Sequence, residues 1–236
     1  MKRFLTAEWK NLAVATFEID KKLLGKYLPD NTEINGFDGK HFISLVGFMF
    51  SNPAFFGFKA PFFRTFEEMN LRFYVKRKTQ NGWRNGVVFI KEIAPSKFIG
   101  QIAKLLYREN FITLPMSHSI AMTADQQETE YKWKIRNKWN FFSLKTSTIP
   151  LSAEVNSIEA FIKNQYWGYT KGNFKETFEF EIKHIPWNIF PSTSFELDID
   201  AEALYGKELA SFFYQKPLCC FLMDGSYTEI SRPVLL

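Results

Sequence analysis

Residues 70–93 of the chain read NLRFYVKRKTQNGWRNGVVFIKEI, and this stretch predicts the basic unit of the fold. Its two ends, residues 70–78 and 86–93, are rich in aromatic and β-branched side chains, which is typical of β-strands. Asn81-Gly82 and Asn85-Gly86 lie between these ends, and Asn-Gly pairs favour tight turns because both residues tolerate positive φ. The stretch therefore predicts two strands joined by a tight turn.

The same pattern recurs along the chain, so most of the protein is expected to be β-structure. Six further runs are predicted as strands, at residues 41–50, 117–123, 131–139, 141–148, 174–183 and 218–223. Two more tight turns are predicted at Asp38-Gly39 and Asp224-Gly225. Helical spacing of apolar residues marks three shorter segments, at residues 20–27, 95–108 and 156–167. Asp20 suits the N-cap of the first of these helices.

The composition supports an ordinary globular protein with an unusually aromatic interior. Of the 236 residues, 46% are hydrophobic and 23% are charged, close to the globular average of about 25% charged. The 27 Phe, 9 Tyr and 6 Trp suit a barrel or sandwich interior. We therefore predict an α+β fold that is mainly antiparallel β, a closed or nearly closed barrel with about three peripheral helices. No repeat or linker divides the sequence, so a single domain over residues 1–236 is expected.

Charge and hydropathy argue against several classes of partner. The formal net charge is +5, and the positive residues are scattered among acidic ones, so nucleic acid is not an expected partner. No stretch approaches the roughly 18 apolar residues of a membrane span, so no membrane partner is expected. The start, MKRFLTAEWK, reaches Glu8 before an apolar segment develops, which does not predict a signal peptide. The adjacent Cys219 and Cys220 suit neither a disulfide nor a metal pair, and a reducing, cytoplasmic location is expected.

The sequence lacks the standard motifs of phosphate, nucleotide, serine-hydrolase and zinc-protease sites. It contains no GxxxxGKS/T, GxGxxG, GxSxG or HExxH. The three histidines are His41, His118 and His184, and none stands at metal-ligand spacing from a second ligand. No metal site and no cofactor are therefore predicted.

Lys91 and Glu92 interrupt the apolar run of residues 87–90 and are informative for this reason. Charges inside such a strand cost free energy unless they are paired or line a pocket. Adjacent strand residues point to opposite faces, so one of the two is expected to face the barrel interior and the other the layer beneath the helices. Both a pocket role and a structural ion pair with Glu68 or Arg72 stay open.

Several stretches resemble the YqjF-like family of uncharacterised bacterial proteins, which has the acetoacetate-decarboxylase-like fold. The matching pieces follow the family's order and span most of the chain. They are residues 5–48 (LTAEWK to SLVGF), FEEMNLRFYV (66–75), GVVFIKEIAP (86–95), AKLLYREN (103–110), FIKNQYWGYT (161–170) and HIPWNIFPS (184–192). The resemblance implies a conical antiparallel β-barrel with helices packed outside, in agreement with the strand pattern.

The resemblance also implies where a ligand would bind. Acetoacetate decarboxylases use a lysine that forms a Schiff base with a β-keto acid. At the matching loop this sequence has Phe111-Ile112 or Met116-Ser117, neither of which can form an imine, so decarboxylation by that mechanism is not expected. Lys10 stands where the relatives have a pocket arginine, and Glu68 where they have a glutamate.

The leading hypothesis is a cytoplasmic small-molecule-binding barrel for a small organic or keto acid. The expected ligand-binding residues are Lys10, Asn70, Arg72, Glu92, Phe111 and Met116. Lys10 or Arg72 would pair with the ligand's carboxylate, while Glu68 is a candidate acid or base and Lys91 a candidate amine. Two alternatives stay open: a lyase or hydratase acting on keto acids through Glu68 and Lys91, and a structural or interaction module whose barrel is filled by its own side chains. The sequence does not decide whether the chain is an enzyme, and it leaves room for a homo-oligomer.

Overall fold

The computed structural model describes residues 3–59, 65–96, 110–151, 154–172 and 176–236. The strands in these ranges are β1 (Arg3–Glu18), β2 (Glu33–Ile34), β3 (Phe42–Phe55), β4 (Phe58–Lys59), β5 (Thr65–Thr79), β6 (Gly82–Ala94), β7 (Phe111–Thr113), β8 (Met116–Met122), β9 (Gln126–Ile135), β10 (Lys138–Ser147), β11 (Trp167–Lys171), β12 (Thr177–His184), β13 (Ile189–Asp198), β14 (Cys219–Ser231) and β15 (Val234–Leu235). The α-helices are α1 (Ile158–Lys163), α2 (Ala201–Tyr205) and α3 (Lys207–Ala210), and 3-10 helices span Lys21–Tyr27 and Ser211–Tyr214.

Seven of these strands close into a barrel. Hydrogen-bonded neighbours follow one another in the order β12, β11, β6, β5, β3, β1 and β14, and β14 pairs again with β12. The closing pairs join Ile182 to Ile230 and His184 to Thr228. All neighbours in the ring are antiparallel except β6 and β11, which are parallel. The mainly antiparallel barrel predicted from the strand pattern is therefore confirmed.

A second antiparallel sheet of β13, β10, β9 and β8 branches from β14 and covers part of the barrel wall. Tyr131 and Trp133 of β9 are fully buried in one apolar layer with Leu45 of β3. The sheet approaches the wall closely at Gly47, where an added Cβ would lie 2.7 Å from Cδ2 of Tyr131. Glycine is required at this position because it alone leaves room for the tyrosine ring.

Strand alternation gives the barrel wall an inner and an outer apolar layer. Val14, Val46 and Tyr74 face inward and belong to the interior cluster. Their neighbours in sequence face outward and pack against the second sheet and the 3-10 helix Lys21–Tyr27. Two buried layers are why so much of the wall is aromatic.

The 3-10 helix begins after Asp20, whose carboxylate accepts a hydrogen bond of 2.9 Å from the backbone N–H of Lys22, which confirms the expected N-cap.

Helix α1 lies against the barrel interior. The Ser157 side chain caps it by accepting from the backbone N–H of Ala160. Ile162 is fully buried in the interior cluster, and the Phe161 ring lies 5.0 Å from the Tyr74 ring. This short helix brings the segment that follows it to the inside of the barrel.

Several predicted boundaries differ from the structure. The run at 131–139 belongs to two strands, because Arg136 has a φ of 53° in a turn between β9 and β10. Asn85-Gly86 is not a turn but lies inside β6, where glycine is needed because a Cβ would overlap the Trp167 carbonyl of β11. Asp224-Gly225 likewise lies inside β14, where Gly225 has a φ of 85°.

The helix predictions have mixed outcomes. The helix predicted at 20–27 is present as the 3-10 helix Lys21–Tyr27, and the one predicted at 156–167 is present as the shorter α1. Nearly all of the helix predicted at 95–108 lies outside the described residues. The elements that were not predicted are β1, β11, β13, the short strands β2, β4, β7 and β15, helices α2 and α3, and the 3-10 helix Ser211–Tyr214.

Candidate functional site

Strand β5 presents three polar side chains to the barrel interior. Glu68, Asn70 and Arg72 alternate with Met69 and Leu71, which are fully buried in the outer apolar layer. Side chains two residues apart lie on the same face of a strand. The three polar side chains are buried as well, with 8%, 3% and 8% of their surface exposed. All three line one cavity.

The cavity lies inside the barrel, and its wall is mostly apolar and aromatic. Its aromatic lining includes Phe48, Phe50, Phe89, Phe111, Phe180 and Trp187. A volume of about 90 Å³ is open to the centres of water molecules. A single water needs roughly 10–15 Å³ by this measure. The cavity therefore has room for a small organic molecule.

A bulge in β6 sets the directions of Lys91 and Glu92. The register of β6 against β5 shifts at Ile90, which has no partner in β5. Glu92 faces inward, where it is buried and lines the cavity. Lys91 faces outward, and its Nζ donates a hydrogen bond to the backbone carbonyl of Leu204 in α2. The structure thus places the candidate amine outside the cavity.

The other predicted ligand contacts separate into two groups. Phe111 of β7 is buried and lines the cavity. Lys10 does not, because Trp9 points inward and its neighbour therefore points outward, where the Lys10 Nζ lies 2.5 Å from Oε2 of Glu8. Met116 lies on β8 and packs against the outer apolar layer. Lys10 and Met116 are thus not brought together with Glu68, contrary to the resemblance-based expectation.

Arg72 is a buried cation with few partners. In the part of the chain that the structure describes, it forms no salt bridge, and its Nε is buried without a hydrogen-bond partner. Its guanidinium carbon lies 5.9 Å from the centre of the Tyr74 ring. Burial raises the pKa of Tyr74, whose hydroxyl is 2.6 Å from Oγ of Ser44. Tyr74 is therefore neutral: it is a hydrogen-bond partner of Arg72 but does not compensate its charge.

A second polar group in the cavity wall comes from the end of α1 and the end of β12. Nζ of Lys163 donates a 3.1 Å hydrogen bond to the backbone carbonyl of Trp187, and the His184 ring stacks on the Trp187 ring at 3.8 Å. Gln165 is 6% exposed, and its Nε2 donates to the backbone carbonyl of Phe161 at 2.5 Å. Lys163, Gln165 and His184 all line the cavity.

Burial and nearby charges shift the titration of two groups in this region. Burial lowers the pKa of His184, and the positive charges of Arg72 and Lys163 lower it further. Burial also lowers the pKa of Lys91 on the outer side of the wall. The neutral form of His184 is therefore favoured in the cavity.

Sequence reasoning did not select Lys163, Gln165 or His184. One signal was available for His184, because extending the predicted strand 174–183 by one residue puts it on the same face as Phe180 and Ile182. No comparable signal marks Lys163 and Gln165, whose positions depend on where α1 ends.

The described residues contain no metal-ligand cluster, no helix long enough to span a membrane and no thiolate among the two cysteines. They contain no group of three His, Cys, Asp or Glu side chains placed to hold a metal ion. No helix among these residues has the length and apolar character needed to cross a bilayer. Burial raises the pKa of the Cys219 and Cys220 thiols to about 12, so neither is a thiolate at neutral pH.

Comparison with known sequences identifies relatives over most of the chain. The family model DUF2071, described as an uncharacterized conserved protein, matches residues 6–225. The uncharacterized protein YqjF of Bacillus subtilis (strain 168) is 26% identical over 184 residues, which are 76% of this chain and 72% of that protein. The family resemblance seen in the sequence is confirmed.

Comparison with solved structures identifies the fold. Acetoacetate decarboxylase from Legionella pneumophila matches with a TM-score of 0.70 at 12% identity, covering 100% of this chain and 88% of that one. An acetoacetate decarboxylase-like enzyme from Sphingomonas wittichii RW1 matches at 0.63 and 12%, covering 100% and 94%. The enduracididine biosynthesis enzyme MppR complexed with pyruvate matches at 0.67 and 9%, covering 100% and 91%. The acetoacetate-decarboxylase-like fold is therefore confirmed.

Proposed function

Because the chain belongs to the DUF2071 family of uncharacterized conserved proteins, its function has to be argued from its own cavity, and we propose that it binds a small organic acid there. Arg72 would receive the carboxylate. The observation that carries the proposal is the buried guanidinium in a mostly apolar cavity, without a salt bridge to any described residue. The MppR structure contains pyruvate, a small keto acid and thus a ligand of the same chemical class.

Electrostatics favours an anion beside Arg72. A buried charge without a counter-ion costs several kcal/mol of stability. A carboxylate that enters the cavity would offset this cost, because a guanidinium presents two parallel N–H donors to the two carboxylate oxygens. The low polarity of the surrounding aromatic wall strengthens the attraction.

The remaining lining limits the size and character of the ligand. The open volume suits a molecule of a few carbon atoms, and the phenylalanine-rich wall suits a ligand with an apolar part. Glu68 and Glu92 add carboxylates to the same wall. Glu68 is the proposed acid or base for any proton transfer at the bound acid.

The proposal contains no Schiff base. Nζ of Lys91 bonds to the Leu204 carbonyl on the outer side of the barrel wall, away from the cavity. Phe111 and Ile112 of β7 provide no amine. Binding without a covalent step is therefore the function that the site supports best.

Calorimetric titration with pyruvate, acetoacetate and the neutral analogue pyruvamide tests the proposal. We expect both acids to bind and the amide not to bind, because only the acids carry the charge that Arg72 attracts. A parallel thermal-shift experiment should show stabilisation by the acids, since a ligand at about 100 times its Kd adds roughly 2.7 kcal/mol. Arg72→Met should abolish both effects.

Lys10→Met is the matched control, because it removes a cation that lies outside the cavity. It should leave acid binding unchanged. Failure of every acid to bind the wild type would disprove the proposal, as would loss of binding in Lys10→Met with retention in Arg72→Met. The second result would restore the position that the family resemblance implies for the pocket cation.

A further inference from the structure

We propose that the preferred ligand of the cavity is a hydroxy acid rather than the corresponding oxo acid, an inference that rests on the proposed carboxylate site at Arg72. The feature that points to a hydroxyl group is the side-chain amide of Gln165, in the part of the cavity wall that follows α1. Its oxygen is a buried acceptor that a hydroxyl could satisfy and a keto oxygen could not.

The orientation of the Gln165 amide is fixed by its own hydrogen bond. Nε2 donates to the backbone carbonyl of Phe161, and the reversed amide would bring two oxygen atoms together. Oε1 is therefore the amide atom that does not bond to Phe161, and it has no hydrogen-bond partner among the residues that the structure describes. A buried acceptor in this condition loses its bonds to water on folding and favours a ligand that brings a donor.

Other buried polar atoms of the cavity wall also lack hydrogen-bond partners among the described residues. Nε of Arg72 and Nε1 of Trp9 are buried donors without partners in the described ranges, and Oδ1 of Asn70 is a second such acceptor. A carboxylate can satisfy the donors but not the amide oxygens. A hydroxyl group donates as well as accepts, whereas the carbonyl of an oxo acid only accepts. A hydroxy acid therefore satisfies more of these buried groups than its oxo counterpart.

An ammonium group would also donate, and the Glu68 and Glu92 carboxylates in the same cavity would attract it, but the positive charge of Lys163, two residues from Gln165, repels it. The positive charges of Lys163 and Arg72 both lower the pKa of His184, which lines the same cavity. A hydroxyl donates without adding a third positive charge to this region.

Calorimetric titration of the wild type with matched ligands tests the preference directly. The pairs are lactate with pyruvate and 3-hydroxybutyrate with acetoacetate, using both enantiomers of each hydroxy acid, and alanine serves as the ammonium analogue. In at least one pair we expect one enantiomer of the hydroxy acid to bind about ten- to a hundredfold more tightly than the oxo acid. Alanine should bind more weakly than lactate.

Two glutamine variants assign the preference to Gln165. Gln165→Met removes this acceptor and should lower the affinity ratio at least severalfold in each pair that shows the preference. Gln127→Met is the matched control, because Gln127 lies outside this cavity and bonds to Asn11 and Thr129. It should leave the ratios at their wild-type values, and an equal loss in both variants would contradict the assignment.

The affinity ratios of hydroxy acid to oxo acid in the wild type test the preference even if Gln165→Met does not fold. Equal or tighter binding of both oxo acids, or tighter binding of alanine, overturns the hydroxy-acid preference. If such binding still depends on Arg72, the proposed function stands without the preference. If no acid binds the wild type at all, the proposed function itself has failed.

Discussion

The outer and inner faces of the barrel wall share the same strands but differ in chemistry. On the outward side of β5, Leu71 and Phe73 are fully buried in an apolar layer between the barrel and the second sheet. On the inward side, Arg72 lies between them in sequence and faces a cavity with open volume and charged groups. Neighbouring residues of one strand thus meet two different environments.

This difference separates stability from the proposed binding function. Close packing makes the outer layer sensitive to the loss or gain of a single methyl group. The inner layer holds the buried charge of Arg72, which should lower the stability of the empty protein, as is common at binding sites. Substitutions on one strand should therefore change either stability or binding, depending on which face they touch.

The largest effect is expected from Leu71→Ala, which should lower the free energy of unfolding by about 2–5 kcal/mol because it leaves a cavity in the outer layer. Urea denaturation measures this loss, and calorimetry should find the acid affinity unchanged. Arg72→Met, one residue away, should show the reverse pattern, with no loss of stability and no acid binding. A loss of stability in Arg72→Met as large as that in Leu71→Ala would show that the charge is part of the structural network.

A smaller effect is expected where the second sheet touches the barrel. Gly47→Ala should lower the free energy of unfolding by about 1–3 kcal/mol, because its Cβ would overlap the Met69 sulfur and press on the Tyr131 ring of the second sheet. Gly25→Ala is the control, since nothing lies within 4 Å of the Cβ it would add. Thermal unfolding of both variants checks the prediction, which fails if the two melt at the same temperature.

The smallest effect is a pH dependence of stability that arises on the inner face. The pKa of His184 in the folded protein lies below its ordinary value of about 6.5. As the pH falls, His184 is therefore protonated in the unfolded chain at a higher pH than in the folded protein. Stability should therefore fall as the pH decreases from 7 to 5. His184→Phe keeps the stacked ring but cannot titrate, so its melting temperature should fall less over this range. Equal decreases in the two proteins would contradict the prediction.

The sequence predicts the inner and outer faces well where the strands alternate regularly. Glu68, Asn70 and Arg72 share a face because they stand two residues apart, and this follows from the strand period alone. The directions of Lys91 and Glu92 did not follow, because the bulge at Ile90 is a property of the pairing between β5 and β6. The register between two strands depends on both of them and cannot be predicted from the sequence of either strand alone.

Other features were missed because they depend on contacts between distant parts of the chain. Strand β1 reads as an apolar run rather than an alternating one, since residues 12–17 are buried on both faces of the wall. Asn85-Gly86 looks like a turn, but its glycine is required by the approach of Trp167. Gln165 reaches the cavity through the end of α1, and no local pattern marks that position.

The pairing of β14 has a consequence for the biosynthesis of the protein. One edge of β14 pairs with β1 along its length, from Arg3 opposite Ser231 to Thr16 opposite Cys219. Its other edge pairs first with β13 and then with β12. The ring cannot close before residue 231 has left the ribosome, and the second sheet cannot join the ring before the β14 residues that pair with β13 have been made. Until then β1 and β12 expose unpaired edges that invite aggregation, so the nascent chain should depend on chaperones until its last long strand has been made.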